Sequence, residues 1–178
     1  MGVLVALVLA AAFGASDQYL GSMSWIPWAA DVSLLSAPWL VLAFVAGWTQ
    51  REPRRAAILG LACTASAFVA YGLMTLSPVE NAHLTYTTAA GFVRSESRVV
   101  IGSVLTGPLF GWFGQQWRTR HAWLGAIVTA AAVTLEPLAR IPAGREIRFR
   151  TIWIAEVAVG LAMAGYVAVA RARFARSR

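Results

Sequence analysis

Leu135-Glu136-Pro137-Leu138-Ala139-Arg140-Ile141-Pro142-Ala143-Gly144-Arg145-Glu146-Ile147-Arg148-Phe149-Arg150-Thr151-Ile152-Trp153-Ile154-Ala155-Glu156 is the stretch on which the reading of this chain turns. The chain on both sides of it is long and apolar. Glu136 and Glu156 stand near its ends, each inside a hydrophobic run, and the neck between them carries Arg140, Arg145, Arg148 and Arg150. A carboxylate in hydrocarbon costs at least a few kcal/mol, so each needs a partner or a wet cavity. The stretch therefore reads as a hairpin between two membrane spans and marks a candidate functional place.

Working outward, the composition agrees. The 178 residues are 58% hydrophobic and 13% charged, far less charge than a soluble domain of this size carries. The apolar residues come in runs near the bilayer-spanning length of about 20 residues, and several runs are apolar on every face, which sets aside a soluble helical core. The fold class expected is all-α: a single-domain integral membrane bundle of six transmembrane helices, at about 1–15, 33–48, 56–76, 99–117, 122–141 and 151–170. The first run could instead be a signal-peptide core, but no basic residue precedes it. Ala6, Ala10 and Gly14 repeat at every fourth position there, a spacing that lets helix backbones approach closely in lipid.

Between the first two spans, Ser16 to Asp31 holds two acids, no base, Trp25, Trp28 and Pro27. Trp and Tyr favour the membrane interface, so this stretch reads as an interfacial or re-entrant segment packed on the bundle, either a lid or an ordinary connector. Pro38 lies near the start of the second span and Pro78 closes the third. Val79 to Ser97 is the most hydrophilic long stretch, and the alternation of Leu84 and Tyr86 with polar residues points to an extended piece within it. Pro108 predicts a kink in the fourth span.

All fifteen basic residues are arginine. With both termini cytoplasmic, nine of them fall inside (Arg51, Arg54, Arg55, Arg118, Arg120, Arg171, Arg173, Arg176 and Arg178) and six outside, as the positive-inside rule asks. Glu52 alone offsets the inner nine, giving a surface suited to anionic headgroups. Outside, six acids match six arginines. Arginines at span ends are orientation signals, and nucleic acid is not an expected partner. The location that follows is a membrane crossed several times, and the resemblance given below implies that it is a bacterial cytoplasmic (plasma) membrane.

Candidate site residues come from the polar groups this topology leaves in apolar surroundings. Glu136 and Arg140, four apart on one helix, can pair directly. Glu156 has no base near it in sequence and lies about 9 Å along the helix from Arg150. It is expected either to bond a group such as Thr64, Tyr71 or Thr134 or to face an outward-open cavity. The ligand-contacting set is Glu156, Glu136, Arg140, Tyr71, His83, Asp31, Gln18 and Trp28. No catalytic residue is assigned. No metal spacing, nucleophile motif, phosphate loop or dinucleotide fingerprint occurs, and no cofactor is expected. Cys63 alone allows no disulfide within the chain.

Gly14-x-x-x-Gln18, Asp31-Val-Ser33-Leu-Leu-Ser36-Ala-Pro38-Trp39, Ala43-Phe44-Val-Ala-Gly47 and Pro53-Arg54-Arg55-Ala56-Ala57 resemble a family of small, uncharacterised polytopic membrane proteins from high-GC bacteria. That resemblance implies a class and no activity. The six short spans, the long first outer segment and Ala6-x-x-x-Ala10 are also similar in architecture to the substrate-binding subunits of energy-coupling-factor vitamin transporters. That likeness implies a bundle opening outward to a small molecule, with span 1 docking a membrane partner subunit.

Three functions follow as expectations. The first is a small-molecule binding or transport subunit with an outward-facing polar cavity of at least about 300 Å³, reached from the Trp25–Trp28 side and walled by Glu156 or residues 80–88. The second is a non-catalytic scaffold or accessory subunit, as a homo-oligomer or with a partner. The third is an intramembrane enzyme using Glu136 or Glu156 as acid or base.

Overall fold

The computed structural model describes residues 2–141 and 148–176. Arg145 and Glu146 of the hairpin neck, and Arg178 at the C-terminus, lie outside the described residues. Among those described there are helices and no strands. In chain order they are α1 (Val3–Ser22), α2 (Ala29–Ser33), α3 (Ala37–Trp48), α4 (Pro53–Thr75), α5 (Tyr86–Ser95), α6 (Ser97–Arg120), α7 (Trp123–Arg140) and α8 (Arg150–Arg176), with a single 3-10 turn at Pro78–Glu80. Prolines mark three of the starts. Pro38 and Pro53 lie in the first turns of α3 and α4, where a missing N–H costs nothing, and Pro78 begins the 3-10 turn.

Large and small side chains are distributed in the way a lipid solvent favours. The buried positions are mostly small: Ala6, Ala10, Ala43, Ala46, Ala56, Cys63, Ala67 and Ala130, with Gly14, Gly47, Gly60, Gly107, Gly111 and Gly114. Leu, Ile, Val and Trp in quantity face outward, for example Leu4, Ile58, Leu105, Leu124, Ile154 and Leu161. Without a hydrophobic drive between helices in lipid, close backbone packing through small residues holds a bundle together. Gly47 lies against the carbonyl of Gly111, Gly14 against that of Ala67, and Gly114 against that of Phe44, each too close to admit a Cβ. Three helices, α1, α4 and α8, are long and apolar enough by length and composition to cross a membrane, and α3 is a shorter apolar helix.

α4 sits centrally against α1, α3 and α6, while α7 and α8 form a pair attached along α6 and α3. The Ala6/Ala10/Gly14 stripe of α1 is spent inside the chain against α4, where Ser66 Oγ also donates to the Leu7 carbonyl at 3.1 Å. It is therefore not an open docking face of the kind the transporter-subunit likeness implies.

Several boundaries differ from the sequence reading. α1 runs on to Ser22, which puts Asp17 and Gln18 on a helix. The segment between the first two spans contains the short helix α2 and turns, and the apolar helix that follows begins only at Ala37. The extended piece expected around Leu84–Tyr86 is short: Leu84 lies outside any helix, Thr85 has extended backbone, and α5 begins at Tyr86. Thr85 accepts from the Thr88 amide at 3.2 Å, and the Thr85 amide donates back to Thr88 Oγ1 at 2.9 Å, a capping box that starts a helix. α8 extends to Arg176, past the expected end.

Candidate functional site

α3 has twelve residues, about 18 Å at the helical rise, well short of a hydrocarbon core about 30 Å thick. Its first amides are unsatisfied by the helix itself, and in a dry environment each needs a partner. The Ser36 side chain provides no cap. Glu136, a hundred residues away on α7, does so instead: the Ser36 and Ala37 amides donate to its two carboxylate oxygens, each at 2.7 Å. A carboxylate at a helix N-terminus also meets the positive end of the helix dipole.

Arg140, one turn along α7, completes the arrangement. Its Nη2 lies 3.0 Å from Glu136 Oε1, with 8% and 10% of the two side chains exposed. The same nitrogen donates to the Leu34 carbonyl, freed where α2 ends, and the guanidinium sits 4.7 Å from the centre of the Trp153 ring. Asp31, 2% exposed on α2, accepts from the Phe149 amide at the start of α8. These contacts form a polar clasp that ties the α7–α8 pair to the α2–α3 break.

Glu156 lies two turns into α8, just past the clasp. It is 6% exposed, and neither carboxyl oxygen has a hydrogen-bond partner among the described residues. The charges that bear on it are those of Glu136 and Arg140. It borders a cleft of about 420 Å³ between α2–α3 and α8, floored by Val133 of α7. Leu35, Pro38 and Val41 form one wall, and Ile152, Val159 and Met163 the other. Glu156 thus lines the cleft with its carboxyl oxygens themselves buried, and among the described residues it bonds none of the Thr or Tyr groups expected of it. Thr64 and Thr134 instead bond carbonyls on their own helices.

The structure thus brings Glu156, Glu136, Arg140 and Asp31 together and leaves the other expected site residues elsewhere. Tyr71 stacks near Phe92 and meets Trp39 edge-on, on the α1–α4–α5 side of α3. His83 is exposed, with its carbonyl accepting from Thr88 Oγ1. Trp28 precedes α2 and is 45% exposed, and Gln18 is half-buried on α1. None of these four borders the cleft, and neither do residues 80–88. The cavity expected to be polar is apolar-walled, because apart from Glu156 its lining residues are Val, Leu, Ile, Ala, Pro and Met.

Sequence reasoning does not find Trp153, the Leu34 carbonyl or the α3 amides. Asp17, whose carboxylate accepts from Trp39 Nε1 at 3.3 Å, is likewise part of a polar contact that its sequence neighbourhood does not announce. Among the described residues no cluster of three or more His, Cys, Asp or Glu is arranged to hold a metal ion.

Comparison with protein-family models, curated proteins and solved structures returned no match.

Proposed function

We propose that the chain is a six-span protein of a bacterial plasma membrane, with both termini cytoplasmic, that binds a small molecule in the cleft beside Glu156. The single observation carrying this reading is Glu156: nine-tenths buried, its carboxyl without a hydrogen-bond partner among the described residues, and lining a cleft large enough for a ligand. An uncompensated ionisable group at such a place is more costly than a structural role requires.

The helix break supports the same reading. Membrane transport proteins commonly place ligand sites where a helix is interrupted near mid-depth and its end groups are exposed. Here the α2–α3 break forms part of the cleft wall through Val32, Leu35 and Ala37. Charge placement supports the orientation. Trp39, at the start of α3, lies among Asp17 and Tyr71, while the other end of α3 offers the Trp48 and Thr49 carbonyls to Arg118. That second end gathers Arg51, Arg54, Arg55, Arg118 and Arg120 with only Glu52, the composition of a cytoplasmic face.

A scaffold role, alone or with a partner subunit, explains the clasp but not the unpartnered Glu156. An enzyme using two carboxyls is disfavoured by the engagement of Glu136, whose oxygens are taken by two amides and Arg140. The test is extraction and mass spectrometry of small molecules retained by the protein purified from its host membrane, beside Glu156→Gln. A compound held by the wild type and lost from the variant supports the proposal. Equal retention, or none in either, counts against it.

A further inference from the structure

We propose that Glu156 is a proton-exchange site attached to the clasp: with a proton it donates to Glu136, and once the proton is lost it accepts from Arg140 Nη1. The site needs no ligand in the cleft. It is marked by three atoms buried without a partner among the described residues: Glu156 Oε1, Glu156 Oε2 and Arg140 Nη1. The first two are acceptors when Glu156 is ionised, and the third belongs to a charged donor. A buried polar atom left without a partner is a cost that a fixed arrangement would be expected to remove. Here each of the three residues involved finds its partner in one of two protonation states.

The protonated state uses Glu136. The two carboxyls lie close enough for a side-chain hydrogen bond, but two carboxylates are both acceptors, so that bond forms only when one of them carries a proton. Glu136 is the acceptor of the two, because its Oε1 already takes the Ser36 amide and Arg140 Nη2, and its Oε2 the Ala37 amide. A carboxylate offers about four lone-pair positions, so Oε2 has one left for the Glu156 O–H. The ionised state uses Arg140. Its Nε and Nη2 serve Glu136 and the Leu34 carbonyl, and Nη1 is left for Glu156, on which the Arg140 charge already bears. Between the two states one O–H bond breaks and the proton passes to water, while Arg140 keeps its charge. The exposed start of α8 at Arg150 lies about 9 Å away along the axis. The other charged groups nearby have their own places. Asp31 on α2 holds the Phe149 amide, Arg148 has an interaction of its own, and α3 carries no charged residue. The exchange depends on which groups reach Glu156 and not on the sum of the charges around it.

The experiment is infrared difference spectroscopy of the full chain in phosphatidylcholine nanodiscs as the pH is stepped, reading the C=O stretch of a carboxylic acid. The expected result is an acid band that disappears reversibly as the pH rises, is missing in Glu156→Gln and is kept in Glu52→Gln. Glu156→Asp, which retains a carboxyl on a shorter arm, is expected to keep the band at a changed position and guards against a folding defect in the first variant. Arg140→Lys keeps a cation beside Glu136 but has no second donor arm, so there the band is expected to persist to higher pH, by about one pH unit. No band at any pH at which the protein is folded means a fixed Glu156–Arg140 ion pair. A band that never titrates means a fixed pair of carboxyls, and a band unchanged in both Glu156 variants belongs to another acid. Each of these overturns the proposal. A Glu156 band that titrates identically in Arg140→Lys overturns the role given to Nη1. A compound retained by the wild type and lost from Glu156→Gln, with no titrating band, leaves the ligand reading standing and sinks this one.

Discussion

Glu136 caps the helix that begins at Ala37: its carboxylate accepts the Ala37 amide at 2.7 Å across a sequence separation of 99 residues. This contact joins the α7–α8 pair to the rest of the bundle. It also holds Arg140, which in turn holds the Leu34 carbonyl on the other side of the helix break.

Removing one member of this clasp leaves the other charge buried without its partner, and that loss exceeds the net worth of the pair. Glu136→Ala is expected to destabilise the protein by about 3 kcal/mol. Arg140→Ala should have a comparable effect. The double variant should cost less than the two single losses combined. Denaturant unfolding in detergent or nanodiscs measures all three, and strict additivity would show that the two residues act independently.

The glycines offer a second contrast. A Cβ at Gly47 would collide with the Gly111 backbone, and one at Gly14 with that of Ala67, whereas Gly165 on α8 has open space around it. Gly47→Ala and Gly14→Ala are each expected to cost about 2 kcal/mol, the usual scale of overpacking. Gly165→Ala should be neutral or stabilising by up to about 1 kcal/mol, from helix propensity alone. Thermal unfolding of the three variants separates the outcomes. Equal effects would mean that the helices do not pack through these backbone contacts.

Orientation is open to chemical labelling. In a Cys63→Ala background, cysteines at Gln50 and His121 are expected to react with an impermeant thiol reagent only after the membrane is opened. Cysteines at His83 and Trp25 should react in intact cells. The reverse pattern would invert the topology proposed from the arginines.

The apolar runs made the helical membrane class legible, and Pro38 marked a helix start that the structure contains, whereas α4 begins at Pro53, three residues before the expected span. The Glu136–Arg140 pair was legible for a local reason, because residues four apart share a helix face. Their other partners were not, since the amides of Ser36 and Ala37 and the carbonyl of Leu34 are backbone groups that any sequence possesses. Asp31 shows the same limit: its partner is the amide of Phe149, 118 residues along. The alternation of Leu84 and Tyr86 pointed to an extended piece, and Thr85 does have extended backbone, but the cap formed by Thr85 and Thr88 starts a helix at Tyr86. That cap lacks the Glu or Gln that usually advertises such a start. Glu156 stood out as an embedded charge. The apolar character of its cleft depends on how α3 and α8 stand apart, which no periodicity within either helix records.

The central claim is that Glu156, beside the clasp at the edge of an apolar cleft, is a buried carboxyl without a hydrogen-bond partner among the described residues. Labelling with a hydrophobic carbodiimide, followed by peptide mapping, tests this directly, because the reagent partitions into the membrane and modifies carboxyls that lack partners. The account predicts modification at Glu156, its suppression by Val159→Phe, and little or none at Glu136 or Asp31. Modification of Glu136 or Asp31 with Glu156 untouched would contradict it.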